Sequence, residues 1–175
     1  MSAWFRDSVF CLPRRDASMS TNETPTHTTS TAQNASNEEA NGQCLCGAVS
    51  FTCSSPSPGV GACHCSTCQG WGGGPLLAVD CGSDIAFQGA GHISIYASSQ
   101  WAERAFCQVC GSHLFYRLKH DGKHIVPVGL FRDGPAFHLD HQIFIDEKPD
   151  YFSFANVTHN MTGAEVFAQV QSEQP

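Results

Sequence analysis

Residues 63–68 read Cys-His-Cys-Ser-Thr-Cys, so three thiols lie within six residues of chain. Two further clusters flank this one, Cys44-Leu45-Cys46-Gly47 before it and Cys107-Gln108-Val109-Cys110-Gly111 after it. Together the three clusters hold seven of the ten cysteines. Cysteine pairs at C-x-C and C-x2-C spacing are typical of zinc sites. The spacing therefore predicts a domain organised around bound zinc, Zn(2+), rather than around disulfides.

Seven cysteine ligands divide naturally into four and three. A structural zinc takes four ligands in a tetrahedron, and two cysteine pairs supply that number. We therefore predict a closed site made of Cys44, Cys46, Cys107 and Cys110. A glycine follows each pair, and it allows the backbone to fold back so that its N–H groups can bond the thiolate sulfurs.

The middle cluster predicts an open site. Cys63, Cys65 and Cys68 cover one face of a zinc ion, and three protein ligands plus one exchangeable position is the catalytic pattern. A thiol that entered the fourth position would lose its proton and bind as a thiolate, or an aldehyde oxygen could be polarised there. Alternatively, Cys53 or Cys81 could close the site, or His64 could substitute for one thiolate; a closed site would make the protein purely structural.

His64, between two of these ligands, has several possible roles. A position beside the metal ligands or at the surface is the ordinary one for such a histidine, and we also carry it as the candidate acid–base residue. Arg104 and Lys148 are scarce cations that could meet the carboxylates of an anionic substrate or form ordinary surface pairs. His138, Asp140 and His141 form a polar set on a predicted strand, where a solvated face explains them equally well.

Charge and hydropathy exclude several partners. The net charge is −7, with 16 acidic against 9 basic residues, and no basic cluster exceeds the pair Arg14–Arg15. A phosphate backbone attracts a basic stripe, so the sequence predicts no nucleic-acid partner. No apolar run approaches the ~20 residues of a membrane span, so it predicts no membrane partner. The longest apolar run near the start, Val9–Leu12, is too short for an export signal, and Asp7 and Asp16 argue against a mitochondrial presequence. We therefore expect a reducing, cytoplasmic setting.

The chain divides into a tail and one domain. Residues 1–41 predict a disordered low-complexity tail, because the tract from Ala17 to Asn41 has too few large apolar side chains to offset its ordering entropy. Met19 offers an alternative start to Met1. Residues 42–175 predict a mainly β zinc domain of short strands. The expected strands are Ala48–Cys53, Leu76–Cys81, Ile85–Gln88, His92–Tyr96, Leu114–Lys119, His124–Val128 and Phe137–Ile145.

Two local signals refine this prediction. Asp121–Gly122 between apolar runs predicts a two-residue hairpin turn with both residues at positive φ. Thr162 followed by Glu165 is a capping box, and it predicts a short C-terminal helix. The run from Gly70 to Pro75 directly after the middle cluster predicts a loop, whose lack of side chains would let the backbone approach a ligand closely.

The motifs together resemble a known family. Cys44-x-Cys46-Gly47-x-Val49-x-Phe51, Cys63-His64-Cys65-x-x-Cys68-Gln69, Phe106-Cys107-x-x-Cys110-Gly111-Ser112-x-Leu114-Phe115 and, later, His141-x-Ile143-Phe144-Ile145-Asp146-x-Lys148 are similar to the glutathione-dependent formaldehyde-activating enzyme (GFA) family. The centromere protein V domain belongs to the same group. The resemblance covers residues ~42–170, and the three cysteine motifs in the right order make a chance match improbable.

The resemblance implies both a fold and an activity. It implies a zinc-bearing β-tent of antiparallel sheets with two zinc ions, the structural one on Cys44, Cys46, Cys107 and Cys110 and the catalytic one on Cys63, Cys65 and Cys68. It also implies a carbon–sulfur lyase of the S-(hydroxymethyl)glutathione synthase type, which takes a small thiol and an aldehyde as substrates. Two departures bear on the thiol. Pro149, Asp150 and Tyr151 stand where many relatives carry a Trp, and Gln69 and Gly70 stand where relatives often have basic residues.

Two other functions compete with this one. The first is a zinc-stabilised binding module without chemistry, which the resemblance to centromere protein V suggests. The second is a methionine-sulfoxide-reductase-like enzyme, in which Cys11, Cys53 or Cys81 would have to serve as the nucleophile.

Overall fold

A computed structural model describes residues 39–172, and these form a mainly β domain. Two α-helices are present, α1 (Ser66–Gly72) and α2 (Gly163–Ser172). The described strands are β1 (Ala40–Gln43), β2 (Ser50–Cys53), β3 (Gly59–Cys63), β4 (Leu76–Asp80), β5 (Ile85–Gln88), β6 (Ile93–Tyr96), β7 (Ala102–Cys107), β8 (His113–Leu118), β9 (His124–Pro127), β10 (His138–Ile143) and β11 (His159–Met161).

The strands form two sheets. The smaller sheet has the order β1-β2-β5, and the larger has the order β11-β10-β3-β4-β9-β8-β7-β6. The predicted fold class is thus confirmed as mainly β with a C-terminal helix. The expectation of purely antiparallel sheets is wrong at one strand, because β10 pairs in parallel with both β3 and β11. Parallel neighbours need a long crossover, and the six strands between β3 and β10 supply it.

One apolar core draws on both sheets. Val49 and Phe51 come from the smaller sheet and its approach, and Val79, Leu114 and Val126 come from the larger one. All five side chains are buried. Alternate residues of β2 point inward, as the two-residue period of a strand requires. The turns that carry the cysteines are connected directly to strands packed in this core. The core therefore fixes the positions of these turns.

The hairpin between β8 and β9 differs from its prediction. Its connection, residues 119–123, has five residues rather than two, and the Leu118 N–H donates to the Lys123 carbonyl oxygen at 2.9 Å. Gly122 has a φ of 74°, and Asp121 does not have a positive φ. The Asp121 carboxylate accepts the N–H of Lys123 at 3.0 Å, and this side-chain bond stabilises the turn without a second left-handed residue.

Helix α1 was not predicted. It takes in residues 70–72 of the expected loop, and it ends at Gly73, whose φ of 78° is the left-handed C-cap geometry. Glycines lower helix propensity, so a short glycine-containing helix gives almost no signal in the sequence. The predicted capping box is present at the start of α2. The Thr162 N–H donates to the Glu165 carboxylate at 2.7 Å, and the Glu165 N–H donates to the Thr162 hydroxyl at 3.3 Å.

The domain boundary also shifts slightly. Strand β1 begins at Ala40, two residues before the predicted start, because Ala40 pairs with Cys53 of β2. The rest of the predicted tail, including Cys11 and Met19, lies outside the described residues. Within residues 39–172, neither helix has the length and apolar character needed to cross a membrane.

Candidate metal centres

Four cysteines from two distant turns meet at one point. Cys44 and Cys46 lie in the turn after β1, and Cys107 and Cys110 lie at the end of β7 and in the turn that follows. Their sulfurs all lie within 4.8 Å of one another, with Cys44 to Cys46 at 3.6 Å and Cys46 to Cys107 at 3.9 Å. A tetrahedron with Zn–S bonds of about 2.3 Å has edges of about 3.8 Å. The four thiols therefore fit one tetrahedral metal ion.

Two hydrogen-bonding groups lie beside the sulfurs of this four-cysteine cluster, and one of them is a backbone N–H of the predicted kind. Gly47 and Gly111 adopt φ values of 76° and 75°, which turn the backbone back towards the sulfurs. The Val49 N–H donates to the Cys44 sulfur at 3.3 Å. The Ser112 hydroxyl lies 3.2 Å from the Cys110 sulfur, and its bonds lower the pKa of Cys110 to about 5. A thiolate is thus available at neutral pH, which is the form that binds a metal.

The second cluster is formed over a much shorter stretch of chain. Cys63 ends β3, Cys65 is the N-cap of α1 and Cys68 lies in the helix. Their sulfurs also lie within 4.8 Å of one another, and the Cys68 N–H donates to the Cys65 sulfur at 3.4 Å. Hydrogen bonds with Cys63 and Cys68 lower the pKa of Cys65 to about 2, whereas hydrogen bonds with Cys65 and Cys68 raise the pKa of Cys63. One thiolate forms readily here, and a bound cation is needed to hold three.

This three-cysteine cluster has no fourth protein ligand among residues 39–172. Cys53 and Cys81 are buried elsewhere, where the Cys53 thiol donates to the Cys81 carbonyl oxygen at 3.8 Å. The ring of His64 is fully buried, and its Nε2 lies 2.9 Å from Oε1 of Gln142. None of the three residues considered as a closing ligand therefore joins the cluster, and this geometry supports the open site.

His64 packs on aromatic rings as well as bonding Gln142. The centroids of Phe152 and Phe154 lie 5.8 and 6.3 Å from the centroid of its imidazole. Its Nδ1 is buried without a hydrogen-bond partner in the described part of the chain. The role of His64 in proton transfer stays a prediction.

A cation and three rings adjoin the three-cysteine cluster. The Arg104 Nη2 donates to the Cys68 sulfur at 3.5 Å, and its guanidinium carbon lies 5.0 Å from the ring centroids of Trp71 and Tyr116. Trp71 stacks on His113 with centroids 3.9 Å apart. Burial raises the pKa of Tyr116 to about 12, so its hydroxyl stays protonated at neutral pH. Arg104 therefore contacts the cluster directly, Trp71 and Tyr116 pack on Arg104, and His113 packs on Trp71.

Of these four residues, only Arg104 stands out as a candidate in the sequence. Arg104 was identified as a scarce cation, while Trp71, His113 and Tyr116 were missed. One signal was available, because the hairpin of β7 and β8 places Arg104 directly opposite Tyr116. Nothing local to the sequence indicates that Trp71 returns to this hairpin.

The other predicted polar residues lie in different settings. The Lys148 ammonium donates to the carbonyl oxygens of Phe152 and Pro149 at 2.6 and 3.0 Å, so backbone groups already engage this cation. His138 is exposed on β10, and Asp140 and His141 bond each other on the same strand. Among the described residues, no hydrogen bond, ion pair or ring contact joins this polar set to either cysteine cluster.

These observations define a class of protein: a mainly β domain with one closed four-cysteine cluster and one open three-cysteine cluster, each able to bind a metal ion. The chain belongs to the GFA family, since the family model described as "Glutathione-dependent formaldehyde-activating enzyme" matches residues 39–147. The resemblance inferred from the cysteine motifs is thus confirmed.

The chain is also similar to two named proteins and to one solved structure. A Schizosaccharomyces pombe protein named "Uncharacterized lyase" is 34% identical over 134 residues, covering 75% of this chain and 97% of the relative. A Halomonas elongata protein named "Putative glutathione-dependent formaldehyde-activating enzyme" is 32% identical over 125 residues, covering 63% of this chain and 77% of the relative. A crystal structure of a Rhodobacter sphaeroides protein is 24% identical, with a TM-score of 0.44, and the match covers 53% of this chain and 87% of that one.

Proposed function

We propose that the protein is a zinc-dependent enzyme of the carbon–sulfur lyase type. It joins a small thiol, glutathione or a similar compound, to formaldehyde or another aldehyde, and the reaction is reversible. The observation that carries this proposal is the three-cysteine cluster, which offers three sulfurs and no fourth protein ligand in the described chain. Family membership and the lyase named among the relatives support the same reaction class.

The reaction itself needs little from the protein. The thiol sulfur forms a bond to the carbonyl carbon, the carbon–oxygen π bond breaks, and the proton moves from sulfur to the new hydroxyl oxygen. Zinc bound to the three cysteines would supply a Lewis-acid position that favours the thiolate and polarises the carbonyl. Cys63, Cys65 and Cys68 would hold it, and His64 is the proposed acid–base residue.

Residues around the cluster would serve binding and orientation. Cys65 caps α1 and Cys68 lies inside it, so the helix fixes two of the three sulfurs relative to each other. The Gln69 side chain donates to the carbonyl oxygens of His64 and Glu147, and the Glu147 carboxylate accepts the Ser66 N–H at 2.7 Å. These bonds hold the helix against the segment after β10 and limit movement of the ligands. A preorganised site loses less entropy when substrates bind.

The proposal is tested by adduct formation. Exchange NMR of a formaldehyde–glutathione mixture gives the formation rate with and without zinc-loaded protein. We expect acceleration by the wild type and none by Cys65→Ser, with the zinc content falling from about two to about one per chain because a three-ligand site that loses a thiolate binds weakly. Cys81→Ala is the matched control, since it removes a buried thiol outside both clusters.

Two outcomes would change the proposal. Full activity and full zinc content in Cys65→Ser would contradict it. An unaccelerated wild-type reaction, with zinc content verified and other small thiols also inert, would favour the non-catalytic binding module. For the reductase-like alternative, Cys53 and Cys81 are 0% and 2% exposed and cannot meet a substrate in this structure, while Cys11 lies outside the described residues.

A further inference from the structure

Arg104 is a buried cation in the wall of the three-cysteine cluster. It lies on β7 and is only 5% exposed. Arginine is almost never fully buried unless it is paired, because removing a charge from water is costly. A negatively charged group is therefore expected close to this guanidinium.

No carboxylate pairs with Arg104 in the described part of the chain. The one arginine ion pair recorded there joins Arg117 to Glu103. Among residues 39–172, Arg104 makes one hydrogen bond, from Nη2 to the Cys68 sulfur, and its Nε and Nη1 are buried without a partner there. The rings of Trp71 and Tyr116 offer favourable cation–π contacts, but they carry no net charge at neutral pH. The thiolates of the cluster are therefore the negative groups that face this cation.

We propose that Arg104 is the counter-ion of the three-cysteine cluster and that it makes the fourth ligand position select an anion over a neutral ligand. This inference rests on the proposed function, since it requires a divalent metal on Cys63, Cys65 and Cys68. It names the ligand class as anionic and thiolate-like, and it assigns the selection to a residue that holds no metal itself.

A count of charges gives the reason. A divalent metal with three thiolates carries −1, and Arg104 brings the group to zero. When an anionic fourth ligand binds, the net charge of the whole group is −1 if Arg104 is present and −2 if it is absent. Unit charges about 6–10 Å apart at an effective dielectric constant of about 20 interact strongly enough to change affinity by roughly 15- to 100-fold. A neutral fourth ligand adds no charge, so Arg104 hardly affects its binding.

The four-cysteine cluster provides an internal comparison. Its four sulfurs could also share one metal ion, yet no arginine contacts them among the described residues, and Cys46 is exposed to solvent. Water can screen the negative charge of that cluster. In the three-cysteine cluster no thiol is exposed, since Cys68 is buried and Cys63 and Cys65 are half-buried, so its excess charge calls for a counter-ion from the protein.

Cobalt(II)-loaded full-length protein allows a direct test. The ligand-field absorption of cobalt reports ligand binding at the open position without any turnover, and Cys65→Ser shows which band belongs to that position. The anionic probe is azide, and the neutral probe is imidazole at a pH where it is uncharged. Arg104→Met removes both the charge and the hydrogen-bond donor to Cys68. Arg104→Gln removes the charge but keeps a donor. Arg104→Lys keeps the charge.

We expect azide affinity to fall on the order of 15- to 100-fold in Arg104→Met and Arg104→Gln, while imidazole affinity changes by less than about 2-fold. Arg104→Lys should retain most of the azide affinity. The closed-cluster cobalt bands and the far-ultraviolet circular dichroism confirm that each variant is folded. Equal losses for both probes, an unchanged azide affinity in the neutral variants, a lysine variant that behaves like them, or no azide binding to the wild type would each overturn the inference.

The two proposals fail in different ways. A wild type that prefers azide through Arg104 but does not accelerate adduct formation would contradict the proposed reaction and leave the counter-ion role in place. A wild type that accelerates adduct formation, with azide affinity independent of Arg104, would contradict the counter-ion role alone.

Discussion

Replacing Gln142 with methionine removes a buried hydrogen bond to His64, the residue between the candidate metal ligands Cys63 and Cys65. Gln142 lies on β10 and is 6% exposed, and its Oε1 lies 2.9 Å from Nε2 of the fully buried His64. Its Nε2 donates to the Thr158 hydroxyl at 2.7 Å. Methionine has nearly the same length but no polar group, so it fills the space and leaves His64 without its partner.

The expected loss follows from the burial of both groups. A net hydrogen bond contributes about 1 kcal/mol, and a buried group left without a partner costs about 1–3 kcal/mol. We therefore expect Gln142→Met to lower the free energy of unfolding by about 1–3 kcal/mol. Thr158 loses less, because its hydroxyl still donates to Asn160 at 2.8 Å. His64→Phe removes the group that needs the bond, and it suits a position that already contacts Phe152.

A double-mutant cycle of the zinc-loaded protein measures this interaction. Urea unfolding gives the free energies for the wild type, Gln142→Met, His64→Phe and the double variant. We expect the double variant to lose about 1–2 kcal/mol less than the sum of the single losses, because neither partner is then left unsatisfied. Additive losses, within about 0.3 kcal/mol, would refute the reasoning. Adduct rates in the same proteins test His64, since an acid–base role requires its loss to slow the reaction far more than the loss of Gln142 does.

Two further predictions concern the ends of the fold and its pH response. Thr162→Ala removes the capping box, and we expect it to destabilise α2 by about 1 kcal/mol and to speed amide hydrogen exchange there about 5-fold; exchange unchanged along α2 would contradict this. Burial, followed by the charge of Arg117, lowers the pKa of His124 from its ordinary 6.5, so the unfolded chain binds more protons below about pH 6.5 and stability falls as the pH drops through that range. His124→Phe should make this decline shallower in urea unfolding at a series of pH values, and equal declines in both proteins would count against it.

The cysteine clusters were predictable because ligand spacing is a local property of the chain. Sulfurs separated by one or two residues can reach one metal ion whatever the surrounding fold is. Dividing the seven cysteines into a four-ligand site and a three-ligand site assigned the pairs that begin at Cys44 and Cys107 to one site and the run that begins at Cys63 to the other. The sulfurs form these two clusters in the structure. The C-terminal helix was predictable for a similar reason, since its capping box acts within three residues.

Other features depended on strand order, which the sequence indicated only coarsely. Predicted strand ends differed by one or two residues, and the parallel pairing of β10 with β3 had no local signal. Helix α1 was missed because its glycines oppose the helix, while the Cys65 cap and bonds from distant residues stabilise it. Contacts between distant parts of the chain thus overrode local propensity.

The sequence by itself determined that this protein is mainly β, that it carries two groups of potential metal ligands and that it belongs to the GFA family. Only the tertiary structure placed Arg104 against Cys68, between the rings of Trp71 and Tyr116, and only it buried His64 against Gln142, 78 residues away. The physical reason is that spacing along the chain fixes which sulfurs can share an ion, whereas the charge and solvation around that ion come from strands that only the fold brings together.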